Sequence, residues 1–280
     1  MRRWWPEMCA LLLLPWLLLQ GKRTRRSTLR MPEAAGERHG ICLPPRPPVA
    51  TDTPLDLLAI GESPVAGVGV EHQEQAITAQ LAQQLARQRG QAVHWSAFGK
   101  NGATVSDAMR EVLPQLPRHK VDVVLIAFGV NDSTAFRSSA RYRRDLGALF
   151  SAVQRQLTPD LLIVAGVPPL HLFPALPQPL RHVLGLKASS LSAVAHALVA
   201  NTPNAIFVPV QSNARDRSLM AVDGYHPSAS GALLWAEQLA VAIKQNPGKL
   251  SEPCRDGNGR RGATPVQLAC ADGLTSDCGD

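Results

Sequence analysis

The sequence predicts an α/β domain whose parallel sheet is covered by helices on both faces, and three observations predict it. Short apolar runs alternate with segments of helical periodicity from residue 55 to about 244, the pattern of strand–helix–strand units. One run, VDVVLIAF at 121–128, is apolar on both faces, as a central strand of a parallel sheet must be. The chain has 280 residues and 45% hydrophobic content, enough for one domain of about 200 residues with tails.

The elements follow in order. Residues 1–30 open with Arg2, Arg3, Trp4 and Trp5, run apolar from Met8 to Leu19, and turn basic at Lys22, Arg23, Arg25 and Arg26. Twelve apolar residues are fewer than the ~20 of a free-standing membrane helix, and they suit the core of a secretory signal. No A-x-A site follows and the flank is basic, which favours a retained anchor over a cleaved signal. The N-terminus is therefore expected to associate the protein with a membrane or the cell envelope, the side being open. Residues 31–54 are rich in Pro, Gly, Glu and Arg, including PPRPP at 44–48, and read as an extended linker.

The domain spans 55–246. Strands are predicted at 55–60, 93–98, 121–128, 161–167 and 205–210, and helices at 71–89, 105–116, 141–157, 189–200 and 228–244. The first helix spaces Ile77, Leu81 and Leu85 by four, places Arg87 and Arg89 at its end, and stops at Gly90, in keeping with the helix dipole. Residues 168–186 (PPLHLFPALPQPLRHVLGL) follow a strand end and read either as a lid or acyl-binding wall or as a packed connection. The tail, 247–280, is Gly-, Asp- and Arg-rich without periodicity and reads as disordered.

Charge and cysteines narrow the function. The formal net charge of +7 divides into +6 over residues 1–50, +2 over 51–246 and −1 over 247–280. The excess belongs to the leader, which argues against a nucleic-acid binder, since that needs a basic face on the domain itself. Cys9, Cys42, Cys254, Cys270 and Cys278 all lie outside 51–246, with no C-x-x-C spacing. A zinc or redox motif is not expected, and a bridge among the tail cysteines stays open.

In an open parallel sheet, ligands gather at the carboxyl ends of strands. Four strand ends carry reactive residue types. Gly61-Glu62-Ser63-Pro64 follows the first strand. A hydroxyl there meets free backbone N–H groups suited to an oxyanion, although a serine in a turn or helix cap looks the same. Val65 stands where a G-x-S-x-G elbow needs its second glycine, which speaks against the α/β-hydrolase fold. Gly99-Lys100-Asn101-Gly102-Ala103 follows the second strand; Gly102 permits close backbone approach to a substrate. Gly129-Val130-Asn131-Asp132 follows the central strand, and Asn131 is a neutral donor suited to an oxyanion. Asp223-Gly224-Tyr225-His226-Pro227 precedes the last helix; Asp and His three apart can meet across one turn, the carboxylate orienting the imidazole as general base. Each feature alone also reads as an ordinary turn. Gly67-Val68-Gly69 lacks the third glycine of a dinucleotide loop, and His171, His182 and His196 lack metal-ligand spacing.

Taken in order, the four segments resemble the four sequence blocks of the SGNH/GDSL hydrolases: GES at 61–63, NGAT at 101–104, GVND at 129–132 and DGYHP at 223–227. The resemblance implies a three-layer α/β/α, flavodoxin-like sheet and a serine esterase with Ser63 as nucleophile, supported by Asp223 and His226. It implies an oxyanion hole from Ser63, Gly102 and Asn131, no metal or organic cofactor, and a small-molecule or lipid ester as substrate. Glu62 replaces the family's Asp, a departure beside the nucleophile that bears on fine positioning. A catalytically silent ligand-binding module on the same fold is the alternative.

Overall fold

Each central strand buries two apolar faces, and that makes the architecture three-layered. The computed structural model of the chain describes residues 14–46, 53–211, 216–247 and 250. Among these, β2 (Leu55–Gly61), β4 (Val123–Ala127), β5 (Leu161–Ala165) and β6 (Ala205–Val208) run parallel with β3 (Val93–Gly99). Successive side chains point to opposite faces. Leu58, Ile60, Val124, Ile126, Leu162 and Val164 pack with α5 (Ser139–Leu157) and α6 (Leu180–Val199) on one side. Leu57, Ala59, Val123, Leu125, Leu161 and Ile163 pack with α2 (Ile77–Arg89) and α7 (Ala229–Lys244) on the other.

With β1 (His39–Cys42) at one edge, the sheet order is β1-β3-β2-β4-β5-β6. Its five parallel strands follow the flavodoxin-like order, which reverses between β2 and β4; ligands bind at such a switch point. Both strands end in predicted site segments, Gly61–Pro64 and Gly129–Asp132.

The structure departs from the sequence reading in five places. The expected helix over 71–89 is a 3₁₀ turn at Gln73–Gln75, an extended Ala76, and then α2 from Ile77. The expected linker holds β1 (His39–Cys42), which pairs antiparallel with β3 in the register His39↔Ser96 to Cys42↔Val93. Its residues alternate between exposed and half-buried, so no apolar run announces it; the partner strand supplies the order. The expected helix over 105–116 is one short α-helical stretch, α3 (Val105–Asp107), continued by a π turn and a 3₁₀ turn. Pro114, within the 3₁₀ turn, has no N–H to donate to an α-helical ladder. α4 (Val130–Thr134) is a single turn opened by Gly129 at φ +138°. α6 begins nine residues before the predicted 189, inside the 168–186 segment, and Gly185 lets it lie close against His171.

At the N-terminus the basic flank and end of the apolar run form α1 (Leu14–Ser27). This helix rests on the domain: Leu17 is buried, and Gln20 donates to Gln178 O at 2.6 Å and accepts from Leu180 N at 3.1 Å. The opposite side leaves Trp16, Leu18 and Leu19 exposed. Residues 1–13 of the leader, the PPRPP run from residue 47 on, and the tail beyond Leu250 with its three cysteines lie outside the described residues.

Candidate active site

Ser63 sits in the turn that leaves β2. The ladder ends as Glu62 N donates to Ala127 O at 3.1 Å, and the chain then bends as Val65 N and Ala66 N both donate to Glu62 O at 3.1 Å. A Cβ on Gly61 would meet Val65 Cγ2 at 2.3 Å, so the turn requires glycine there. Ser63 is 7% exposed.

The Asp223–His226 pair closes across one turn. His226 Nδ1 donates to Asp223 Oδ2 at 2.6 Å, while Asp223 Oδ1 accepts from Tyr225 N at 2.9 Å and His226 N at 3.0 Å. The Asp223 side chain is fully buried and that of His226 is 15% exposed. Burial works against ionisation of Asp223, but the imidazole and the two N–H donors outweigh it and hold the carboxyl below its ordinary range. Nδ1 is thus committed to the carboxylate and Nε2 is left available. Tyr225 stacks edge-to-face between Phe173 and the His226 ring, with centroids 5.3 and 5.2 Å away.

Two contacts bring these segments together. A Cβ on Gly69 would lie 2.2 Å from Pro227 O and 3.0 Å from His226 Cβ, so the chain after Ser63 packs directly on the His226 loop. Ser63 and His226 then line one apolar cleft of about 80 Å³, with Val130, Phe173, Tyr225 and Trp235 among its walls. Space on that scale takes a few water-sized groups, the size of a short acyl chain. Pro168 and Phe173 reach this cleft, whereas Leu170, Leu176 and Leu180 are buried in the core. The 168–186 segment is both a cleft wall and a packed connection.

Backbone donors complete the arrangement. Among the described residues, neither Ser63 N nor Gly102 N has a hydrogen-bond acceptor within the protein, and Gly102 stands at φ +77° with open space around its Cα. Asn131 is engaged: Nδ2 donates to Glu62 Oε2 at 2.5 Å and to Ala103 O at 3.2 Å. Ser63 Oγ makes no hydrogen bond to His226 among the described residues.

The sequence reading treated Glu62 as a variation beside the nucleophile; the structure makes it a hub. Its buried carboxylate accepts from Val130 N and Asn131 N at 2.9 Å each, and from the Asn131 side chain. These bonds fasten the Ser63 turn to the start of α4. Burial pushes its carboxyl up to about 7 against the pull of those donors, and the neighbouring Asp132 adds to the rise. Asp132 ties the other side, accepting from Val105 N at 3.1 Å, and burial raises it to about 6. That an acidic residue precedes Ser63 was visible in the sequence, but not the donors 68 and 69 residues away.

A family model described as the GDSL-like lipase/acylhydrolase family matches residues 59–234, a span that takes in all four predicted site segments. No curated protein matches the chain. Among solved structures it is similar to a lipase/acylhydrolase from Enterococcus faecalis (22% identity, TM-score 0.53), covering 71% of this chain and 98% of that one. It is also similar to an extracellular lipase from Streptomyces rimosus (18%, TM-score 0.53; 67% and 99%). A third is a psychrotrophic esterase from Pseudoalteromonas sp. (19%, TM-score 0.51; 69% and 98%). At these identities the structural likeness speaks for the fold.

Proposed function

The chain belongs to the GDSL-like lipase/acylhydrolase family and is an ester hydrolase, and from that membership we propose that it works through an acyl-enzyme on Ser63. His226 Nε2 removes the Ser63 proton as Oγ attacks the ester carbonyl. Asp223 holds the imidazole in the tautomer that has Nε2 free and stabilises the imidazolium that forms. The carbonyl oxygen, now an oxyanion, is received by Ser63 N and Gly102 N. Asn131 joins them by trading its long 3.2 Å bond to Ala103 O for the oxyanion, while the shorter bond to Glu62 keeps the amide oriented. The tetrahedral centre collapses, the C–O bond to the alcohol breaks, and the alcohol leaves with the proton from His226. A water activated by the same imidazole then releases the acid. The Ser63–His226 hydrogen bond closes on substrate binding; catalytic hydrogen bonds commonly tighten only then.

The observation that carries this reading is that His226, held by Asp223, opens with Ser63 onto one apolar cleft. The cleft's size and lining favour short acyl esters. Hydrolysis of a p-nitrophenyl ester chain-length series tests it. Ser63→Ala should lower kcat on the order of 10⁴-fold or more while the protein stays folded. Turnover matching the unmodified protein, with contaminating esterase excluded, would leave a catalytically silent binding module as the reading.

α1 supports a second element of the proposal, association with a membrane surface. Its Trp16, Leu18 and Leu19 are exposed, and Lys22, Arg23 and Arg26 follow on exposed positions. Apolar and basic side chains so placed suit the interface of an anionic bilayer.

A further inference from the structure

The segment 33–42 lies outside the residues that the family model matches, yet it touches the site from behind. We infer that Glu33 and Arg38 are positioning residues for the Gly102 amide, holding the oxyanion loop by an N-terminal strap; this rests on the esterase reading above.

The domain holds the loop from Lys100 to Ala103 through Asn131 Nδ2, which donates to Ala103 O at 3.2 Å, and through the Lys100–Glu111 ion pair. On its inner side Lys100 N donates to Gly61 O at 3.1 Å, and Ala103 N closes the turn on Lys100 O at 3.2 Å. Asn101 and Gly102 are exposed, and no atom comes within 4 Å of a Cβ placed on Gly102. The outer side is held by the strap. Glu33 Oε1 accepts from Asn101 N at 3.0 Å, one residue before Gly102. Arg38 Nη1 donates to Gly99 O at 2.9 Å, at the other end of the loop. Arg38 Nη2 pairs with Glu33 Oε2, so one ion pair bridges both attachments. The carboxylate is bidentate in effect, one oxygen on the loop and the other on the guanidinium, and this fixes its direction.

The strap is itself anchored on both flanks. Ala97 N donates to Arg38 O at 2.8 Å, continuing the β1–β3 ladder. Ala35 N donates to Glu71 O at 2.9 Å, and Gln73 N returns to Ala35 O at 2.8 Å. Gln73 is fully buried and its Nε2 donates to Ala34 O at 3.2 Å and Ala66 O at 3.1 Å. The same strap therefore braces the chain after Ser63 and the loop of Gly102. An oxyanion hole is effective because its donors are fixed before charge develops, so a brace on the amide adjoining Gly102 acts on kcat rather than on ground-state binding.

The test compares Glu33→Ala, Glu33→Gln and Arg38→Ala in the full chain, with p-nitrophenyl acetate kinetics and amide hydrogen exchange at Asn101 and Gly102. Loss of a whole oxyanion donor costs about 10²–10³-fold; loosening one should lower kcat about tenfold in Glu33→Ala and in Arg38→Ala, with KM little changed. Glu33→Gln keeps an oxygen for Asn101 N and should recover most of kcat. Exchange at Asn101 should speed up in Glu33→Ala and much less in Glu33→Gln. Unchanged exchange in Glu33→Ala overturns the brace, whatever the kinetics. Faster exchange with unchanged kcat overturns its catalytic purpose. If the unmodified chain shows no Ser63-dependent turnover, the esterase reading fails and takes that purpose with it, while the exchange data still decide whether Glu33 holds the loop.

Discussion

Glu62 offers a test that reads the buried hub through folding rather than through turnover. Its carboxyl moves from an ordinary 4.5 to about 7 on folding, chiefly by burial. Between these values the unfolded chain has released the proton and the native chain keeps it. The native state binds more protons, so stability declines as pH rises through that window. At about 1.4 kcal/mol per unit the full effect is about 3 kcal/mol, and about 2–3 kcal/mol of it falls between pH 5 and 8. Asp132, raised to about 6, acts in the same direction, but most of its effect is spent at lower pH. Urea unfolding at pH 5, 6, 7 and 8 on the unmodified protein and on Glu62→Gln separates the two. The Gln side chain turns an NH₂ toward one of the three donors, a pH-independent offset that lowers stability equally across the series. Stability of the unmodified protein should fall across the series, and Glu62→Gln should flatten that fall by about 2–3 kcal/mol. Parallel curves for the two proteins would refute the reasoning.

Asn131→Ala removes a donor from buried Glu62 and, on the proposed mechanism, the third oxyanion donor, so two effects should appear together. A loss of about 1–3 kcal/mol in stability and a fall of about 10²–10³-fold in kcat at nearly constant KM are expected from one sample measured by melting and by kinetics; destabilisation with unimpaired turnover removes Asn131 from the chemistry. For the membrane, full-length protein should float with vesicles containing anionic lipid, and Leu18→Glu with Leu19→Glu should weaken flotation without lowering hydrolysis of a water-soluble ester. Equal flotation of both proteins would move the contact away from α1.

What the sequence made legible is what depends on neighbours in the chain. The strands β2, β4 and β5 are apolar on both faces because helices cover both sides, and that is written in consecutive residues. Asp223 and His226 are three apart and can meet across a single turn, and the structure has them in contact at 2.6 Å. The four predicted site segments needed only their order. What stayed hidden depends on residues distant in the chain. β1 has four residues and one of them is Gly40, which lies so close to Trp95 that a Cβ would stand 2.9 Å from its indole nitrogen; nothing in HGIC states that requirement. Glu62 became a hub through donors at 130 and 131, and Glu33 reaches Asn101. In both cases an acidic residue that reads as an unremarkable surface or turn position takes its meaning from a free backbone N–H across the fold. The practical consequence concerns where the domain begins. Composition places its start near residue 55, after the prolines. The hydrogen bonds of Glu33, Ala35, Gln73 and Arg38 place it at or before residue 33, because cutting later removes an edge strand and uncovers buried Gln73. A segment whose composition suggests a flexible tether is, in the folded chain, the part that joins a helix facing outward, α1, to the loop of Gly102.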